Sequence, residues 1–237
     1  MTPQESLLLR LAEEQLSNLL PDSLKKSMSS SFMQARLNLD IPEKEWLAKV
    51  RVVSTTQPLL PPNIQPGVFE AVSDALYGNY WLRMDYTNAK GTKALIEVMP
   101  LGLAQQGSRL YLVCQYSDGK GEVFNDQRII ALNRMELPAE LPAVLASKPF
   151  QRPTGFDLKQ YDADGRFGFG EGNKVELQFI IEKTSGYHLT ESRLSEEQKV
   201  IDIGKHYLIT ATVVETKLLK SWLRGFGTDI VWCNIQL

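Results

Sequence analysis

The residue types that do chemistry are few in this chain, and they are scattered. Gly168-Phe-Gly-Glu-Gly172 has the glycine density of a loop that wraps a phosphate. Such a loop works only when a strand precedes it and a helix follows, so that the anion meets the free N–H groups of the helix start. Here a strand pattern follows and no Gly-Lys-Ser or Gly-Lys-Thr closes the run, so a flexible entry to a strand is expected. His188 and His206 are the only histidines, and neither has a Cys, an Asp or a second His at ligand spacing. No Gly-x-Ser-x-Gly elbow supplies a nucleophile beside them. Glu13-Glu14 and Glu196-Glu197 are adjacent on helical patterns and point apart, as solvated carboxylates do. Cys114 and Cys233 lie in apolar strand-like runs without Cys-x-x-Cys spacing, which fits buried free thiols rather than a disulfide or a zinc ligand. No metal and no cofactor is implied, and the chain is read as a non-enzyme.

The elements that must position any site follow from period and punctuation. Thr2, Pro3 and Glu5 make a capping box, and the leucines from Leu7 to Leu20 recur at helical spacing, so Pro3 to Leu20 is predicted as a helix. A second helix is expected over Asp22 to Leu37 and a short third from Pro42 to Val50. Pro58 to Pro66 is too rich in proline for helix and is expected to be a connector. Short leucine-rich helices need a surface to bury against; a second subunit and the rest of the same chain both offer one. Val68 to Tyr77 is a further helix with Val68, Ala71, Val72, Ala75 and Leu76 on one stripe.

From Asn79 the period becomes two. Strands are expected at Tyr80 to Tyr86, Lys93 to Met99, Leu110 to Tyr116 and Arg128 to Leu132, with turns at Asn88 to Gly91 and Ser117 to Gly121. A proline-marked stretch carries a possible helical turn at Leu141 to Ala146. Then come strands at Val175 to Ile181, Tyr207 to Val214 and Asp229 to Ile235, a capping pattern at Ser195 to Gln198, and a helix at Lys217 to Arg224. There is no internal repeat. The expected organisation is a helical connector or dimerisation segment (1–66), a small β-barrel (67–140), a linker (141–166) and a C-terminal α+β unit of ferredoxin-like type (167–237).

Composition sets the outer bounds. The 237 residues are 43% hydrophobic and 23% charged, with 26 Lys plus Arg against 28 Asp plus Glu. That is ordinary for a globular protein and lacks the basic excess of a protein that coats duplex DNA. Neither a signal peptide nor a membrane-length apolar run is found, so a cytoplasmic protein is expected.

The stretch from about Val68 to Met135 resembles the WYL domain, found mostly in bacterial transcriptional regulators. The resemblance rests on four features in order: a helix leading into a strand that ends in Tyr86; Val98-Met-Pro-Leu101 before a loop; Ser108-Arg-Leu-Tyr-Leu-Val-Cys114, where the family usually has Trp-Tyr-Leu; and Asp126-Gln-Arg-Ile-Ile-Ala-Leu-Asn-Arg-Met135. Leu110 stands in place of the signature Trp. Glu191 to Gln198 and Leu219-Lys-Ser-Trp-Leu-Arg-Gly-Phe-Gly227 are similar to the extension that often follows a WYL domain. The resemblance implies an Sm-like or SH3-like barrel that binds a nucleic-acid or nucleotide ligand, such as single-stranded DNA. It further implies a homodimer and an N-terminal winged helix-turn-helix that reads promoter DNA. No winged helix is recognisable here, which fits its removal or a naturally shorter relative.

Within that frame, Tyr86, Tyr111, Arg128 and Arg134 are the expected anionic-ligand pocket, with Arg109 and Gln115 as further candidates. Guanidinium groups match phosphate oxygens with forked donors, and tyrosine rings stack bases. Arg128, Ile130 and Leu132 share one strand parity, while Arg134 lies beyond the strand end. Core packing for Tyr111 and surface ion pairs for the arginines are the plainer alternatives. Trp222, Gly225 and Gly227 are expected to be structural: a packing anchor and a tight turn. A dimerising scaffold without a small ligand is the alternative function.

Overall fold

Thr2 and Glu5 start the chain as their spacing predicts: the Glu5 N–H donates to Thr2 Oγ1 at 3.2 Å and the Thr2 N–H donates to Glu5 Oε2 at 2.7 Å. The structure, a computed structural model, describes residues 1–16, 19–53, 57–117 and 123–236. It divides into two units, Met1–Thr154 and Gly155–Leu237. Both are mixed α and β, and every strand pairing in their sheets is antiparallel.

The first unit opens with α1 (Pro3–Leu16), α2 (Asp22–Leu37) and α3 (Ile41–Lys49). Helix α1 ends four residues before the expected Leu20. Phe32, Ala35 and Leu39 are buried, so the same chain covers part of the helical apolar surface; Leu8, Leu37 and Ile41 remain exposed. Helix α4 (Val68–Gly78) buries Val68, Ala71, Val72 and Ala75. Asn79, at φ 52°, ends it in the left-handed conformation and turns the chain into the sheet.

The sheet holds β1 (Tyr80–Thr87), β2 (Lys93–Gln106), β3 (Arg109–Ser117), β4 (Val123–Ala131) and β5 (Met135–Glu136), in the order β4-β3-β2-β1-β5. Strands β4 and β5 are separated only by a 3₁₀ turn, Leu132–Arg134, yet lie at opposite ends of that order. Leu82, Met84, Val98, Leu112, Ile130, Leu132 and Met135 form the core with α4.

Two expectations fail here for physical reasons. Strand β2 does not stop at Pro100 but runs on to Gln106. Its ladder with β1 ends at the Leu82–Val98 pair, so the missing proline N–H falls where β2 pairs only with β3, and a bulge at Leu101 absorbs the misfit. Where a helical turn is expected over Leu141 to Ala146, the chain forms no helix and enters β6 (Val144–Pro149), which pairs with β1. The turn expected over Ser117 to Gly121 lies, beyond Ser117, outside the described residues.

The second unit contains α5 (Leu158–Ala163), β7 (Lys174–Glu182), α6 (Lys183–Gly186), α7 (His188–Glu191), β8 (Lys199–Ile203), β9 (His206–Val214), α8 (Lys217–Arg224) and β10 (Ile230–Cys233). From β7 the succession is β-α-β-β-α-β, with strand order β10-β7-β9-β8. Leu177, Phe179, Ile181 and Ile209 bury one sheet face against Leu189 of α7 and Leu223 of α8. Thr216 caps α8, its hydroxyl accepting the Leu219 N–H at 2.8 Å. Ser195 to Gln198 caps no helix. It is a turn pinned by Gln198, whose side chain accepts from the Leu194 N–H and donates to the Leu189 carbonyl. Gly168 to Gly172 forms no helix start, and strand β7 follows it.

Candidate ligand-binding site

Strand β3 is buried on both faces from Leu112 to Gln115, and strand parity separates the two sets. Leu110, Leu112 and Cys114 are buried in the core, and Tyr116 packs against it from the strand end. Residues opposite one another on paired strands point to the same face. Arg128 stands opposite Cys114, Ile130 opposite Leu112, and Val98 opposite both Tyr116 and Leu82. Tyr86 continues the Leu82 and Met84 face of β1 and stands opposite Met135. Thus Tyr86, Tyr116 and Arg128 share one face of the sheet.

The Arg128 side chain is 61% exposed, with Nε 3.5 Å from the exposed carboxylate of Asp126. Its guanidinium carbon lies 5.4 Å from the centre of the Tyr116 ring, a cation–π distance. Burial pushes the Tyr116 phenol up to about 12, with Cys114 and Tyr86 adding to the rise and Arg128 drawing it down. Burial also raises the Cys114 thiol, against the pull of Arg128, so this sulfur is a packed core atom and not a nucleophile. A cavity of about 580 Å³ opens beside Tyr116, lined also by Arg83, Leu95, Ile96, Glu97, Ser117 and Leu141.

The other expected pocket residues are placed elsewhere. Tyr111 stands opposite Ala131 and shares the second face of β3 with Val113 and Gln115, which is only 5% exposed. Arg109 is exposed near the β3 start, opposite Gln106. Arg134 is half-buried in the 3₁₀ turn, one residue before the Met135 that pairs with Tyr86. The structure therefore brings Tyr86 and Arg128 onto one face and leaves Tyr111 and Gln115 on the other. Tyr116 was missed in the sequence, although its parity with Leu112 and Cys114 is the signal that finds it.

The second face carries cations that are already satisfied. Glu97 joins Arg83, at 3.0 Å, and Lys148, whose ammonium also sits 4.5 Å over the Trp81 ring. Burial works to raise the Glu97 carboxyl, but the hydrogen bonds from Lys148 and Arg83 outweigh it and hold the group below its ordinary value. Lys93 bonds Glu136 at 2.6 Å. Among the described residues no group of three His, Cys, Asp or Glu side chains is arranged to hold a metal ion. No helix among them is long and apolar enough to cross a membrane.

In the second unit Trp222 packs on the core and meets the Phe226 ring edge-on at 4.9 Å. Gly227 has φ 56°, the conformation that favours glycine, whereas Gly225 is right-handed at φ −61° and sits close under the Trp222 carbonyl.

Comparison with known proteins adds the following. No curated protein matches the sequence. Among solved structures, proteasome accessory factor B/C of Arthrobacter aurescens is 20% identical, with a TM-score of 0.36, over 100% of this chain and 32% of its own. A CRISPR Cas-related protein is 14% identical, with a TM-score of 0.43, over 71% of this chain and 47% of its own. This chain thus spans about a third and about half of those two proteins. The WYL domain family matches residues 67–137, the stretch from the start of α4 through β5 that holds Tyr86, Tyr116 and Arg128. The chain thus contains a WYL domain at residues 67–137.

Proposed function

We propose that this chain is the ligand-sensing and dimerising part of a bacterial transcriptional regulator, acting without catalysis. Its WYL domain takes a nucleic-acid or nucleotide-type ligand, single-stranded DNA or an oligonucleotide. One observation carries the reading: an exposed guanidinium, Arg128, is held over a half-buried phenol ring, Tyr116, on the face that also bears Tyr86. Forked donors for phosphate beside rings that stack bases are what a single strand needs. Arg134 supplies a second cation. Tyr111, Arg109 and Gln115 lie on the far face of β3, with Gln115 buried, and stand outside this pocket.

In this reading residues 67–140 are an Sm-like barrel, supported by a strand order in which consecutive strands β4 and β5 take opposite ends. Residues 167–237 are a ferredoxin-like unit, supported by the β-α-β-β-α-β succession. Residues 1–66 are a helical dimerisation segment and 141–166 a linker. The protein works in the cytoplasm as a homodimer, and a winged helix-turn-helix outside this chain reads promoter DNA under control of the ligand.

Fluorescence anisotropy with a labelled single-stranded oligonucleotide at low salt tests the ligand. Binding by the parent and its loss in Arg128→Ala/Arg134→Ala is the expected result. Equal binding by both removes the pocket, and no binding over a broad panel of oligonucleotides leaves a scaffold without a ligand.

A further inference from the structure

The β7–β10 sheet has two faces, and only one is packed. Leu177, Phe179, Ile181 and Ile209 bury the first under the helices. On the second, strand register aligns an apolar row across all four strands. Trp232 stands opposite Ile180, Ile180 opposite Leu208, and Leu208 opposite Ile201. The outer members stay open to solvent, Trp232 at 46% and Ile201 at 53%. An apolar row crossing a whole sheet face is what a protein contact uses, since isolated exposed apolar residues do not line up in register.

The rows on either side say what fits there. Toward one end Glu182 of β7 stands opposite His206 of β9; toward the other Gln178 stands opposite Thr210, and Glu176 opposite Thr212. Consider a two-fold axis lying between two such faces, parallel to the strands and midway between β7 and β9. It sets Trp232 of one copy on Ile201 of the other, and Ile180 on Leu208. The same rotation sets Glu182 on the other copy's His206, twice, and Gln178 on its Thr210. A carboxylate meets an imidazole and an amide meets a hydroxyl, with no like charges opposed. A face that is complementary to itself under one rotation is the signature of an isologous contact.

We propose that this uncovered sheet face, centred on Ile180 and Leu208, is the contact between two copies of the chain, packed sheet on sheet. The proposal rests on the homodimer reading above and adds to the helical segment a second surface that joins the two copies. A second sheet packed face to face covers all four residues of the row at once.

Double-cysteine cross-linking tests it, in a Cys233→Ser background that removes the neighbouring thiol. Positions 201 and 232 are three strand spacings apart within one copy, about 14 Å, too far for a disulfide. Across the proposed axis they meet twice. Ile201→Cys/Trp232→Cys should give a closed covalent dimer under mild oxidation, and each single variant should not. Leu208→Glu should weaken association of the full chain at least tenfold by sedimentation. If the parent is a dimer but the double variant does not cross-link, or cross-links into a ladder, the face is wrong and the homodimer stands. If the parent is a monomer at all concentrations, the homodimer reading fails, and this surface with it.

Discussion

Arg128 holds its guanidinium carbon 5.4 Å above the ring of Tyr116, from a strand that is not the tyrosine's own. The pair exists because β3 and β4 are in a register that sets Arg128 opposite Cys114, one step from the strand end where Tyr116 stands. A cation over a half-buried ring is a site with two chemistries in one place.

Replacing Arg128 by Ala separates them. The side chain is mostly exposed, so folding stability should change by less than about 1 kcal/mol. Oligonucleotide affinity should fall about tenfold, the worth of one charge-assisted hydrogen bond. The slope of log affinity against log salt should flatten by about one phosphate's share. Urea denaturation and an anisotropy salt series read the two effects.

Tyr116 gives an alkaline signature. Its folded value, raised to about 12 by burial with contributions from Cys114 and Tyr86, lies above that of an unfolded tyrosine. Between pH 10 and 12 the folded state therefore holds a proton that the unfolded state releases, and stability falls as pH rises through that window. Tyr116→Phe should remove this part of the alkaline loss, measured by urea midpoints from pH 9 to 11.

Glu97 works in the opposite direction. Burial raises its carboxyl, yet Lys148 and Arg83 hold it below the ordinary value, so its contribution is present above the unfolded value and disappears as pH falls through the folded one. Glu97→Gln should cost about 1 kcal/mol at neutral pH and less in acid. Thermal melts at pH 7 and pH 3 compare the two.

Leu112 is fully buried in the core that the sheet shares with α4. Leu112→Ala should cost about 2–5 kcal/mol, because the surrounding structure relaxes only partly over the void. A shift of the urea midpoint at unchanged slope is the readout.

Gly227→Ala isolates a backbone effect. An added Cβ meets nothing within 4 Å, so the expected loss of about 1–2 kcal/mol comes only from φ 56°. Gly225→Ala has an allowed φ but a Cβ 3.0 Å from the Trp222 carbonyl, so its cost is steric and follows how far that turn can give.

The elements legible in the sequence were those with a strong local period or cap. Helix α2 and helix α8 begin and end where Asp22 to Leu37 and Lys217 to Arg224 set them. Strand β1 is read from the alternation of Tyr80, Leu82, Met84 and Tyr86. What local pattern could not carry was pairing. The stretch from Val144 to Pro149 becomes a strand only because β1 offers an edge, and Pro100 sits inside a strand only because the β1 ladder has already ended. Strand β8, exposed at every residue, shows no buried alternation. The same limit applies to the site. The parity of Arg128 with Ile130 was legible, but the face shared with Tyr116 required the β3–β4 register.

The 3₁₀ turn between β4 and β5 makes the sheet a mechanical loop. Tyr86 and Arg128 are far apart across the ladder, with β2 and β3 between their strands, yet Met135, paired to Tyr86, is only seven residues along the chain from Arg128. A tug on Arg128 travels through covalent bonds to Met135 and crosses to Tyr86 by a single strand pairing, and the hydrogen-bonded ladders return the load from the other side. The sheet therefore resists being peeled strand by strand, and it responds to a pull at one edge as a whole.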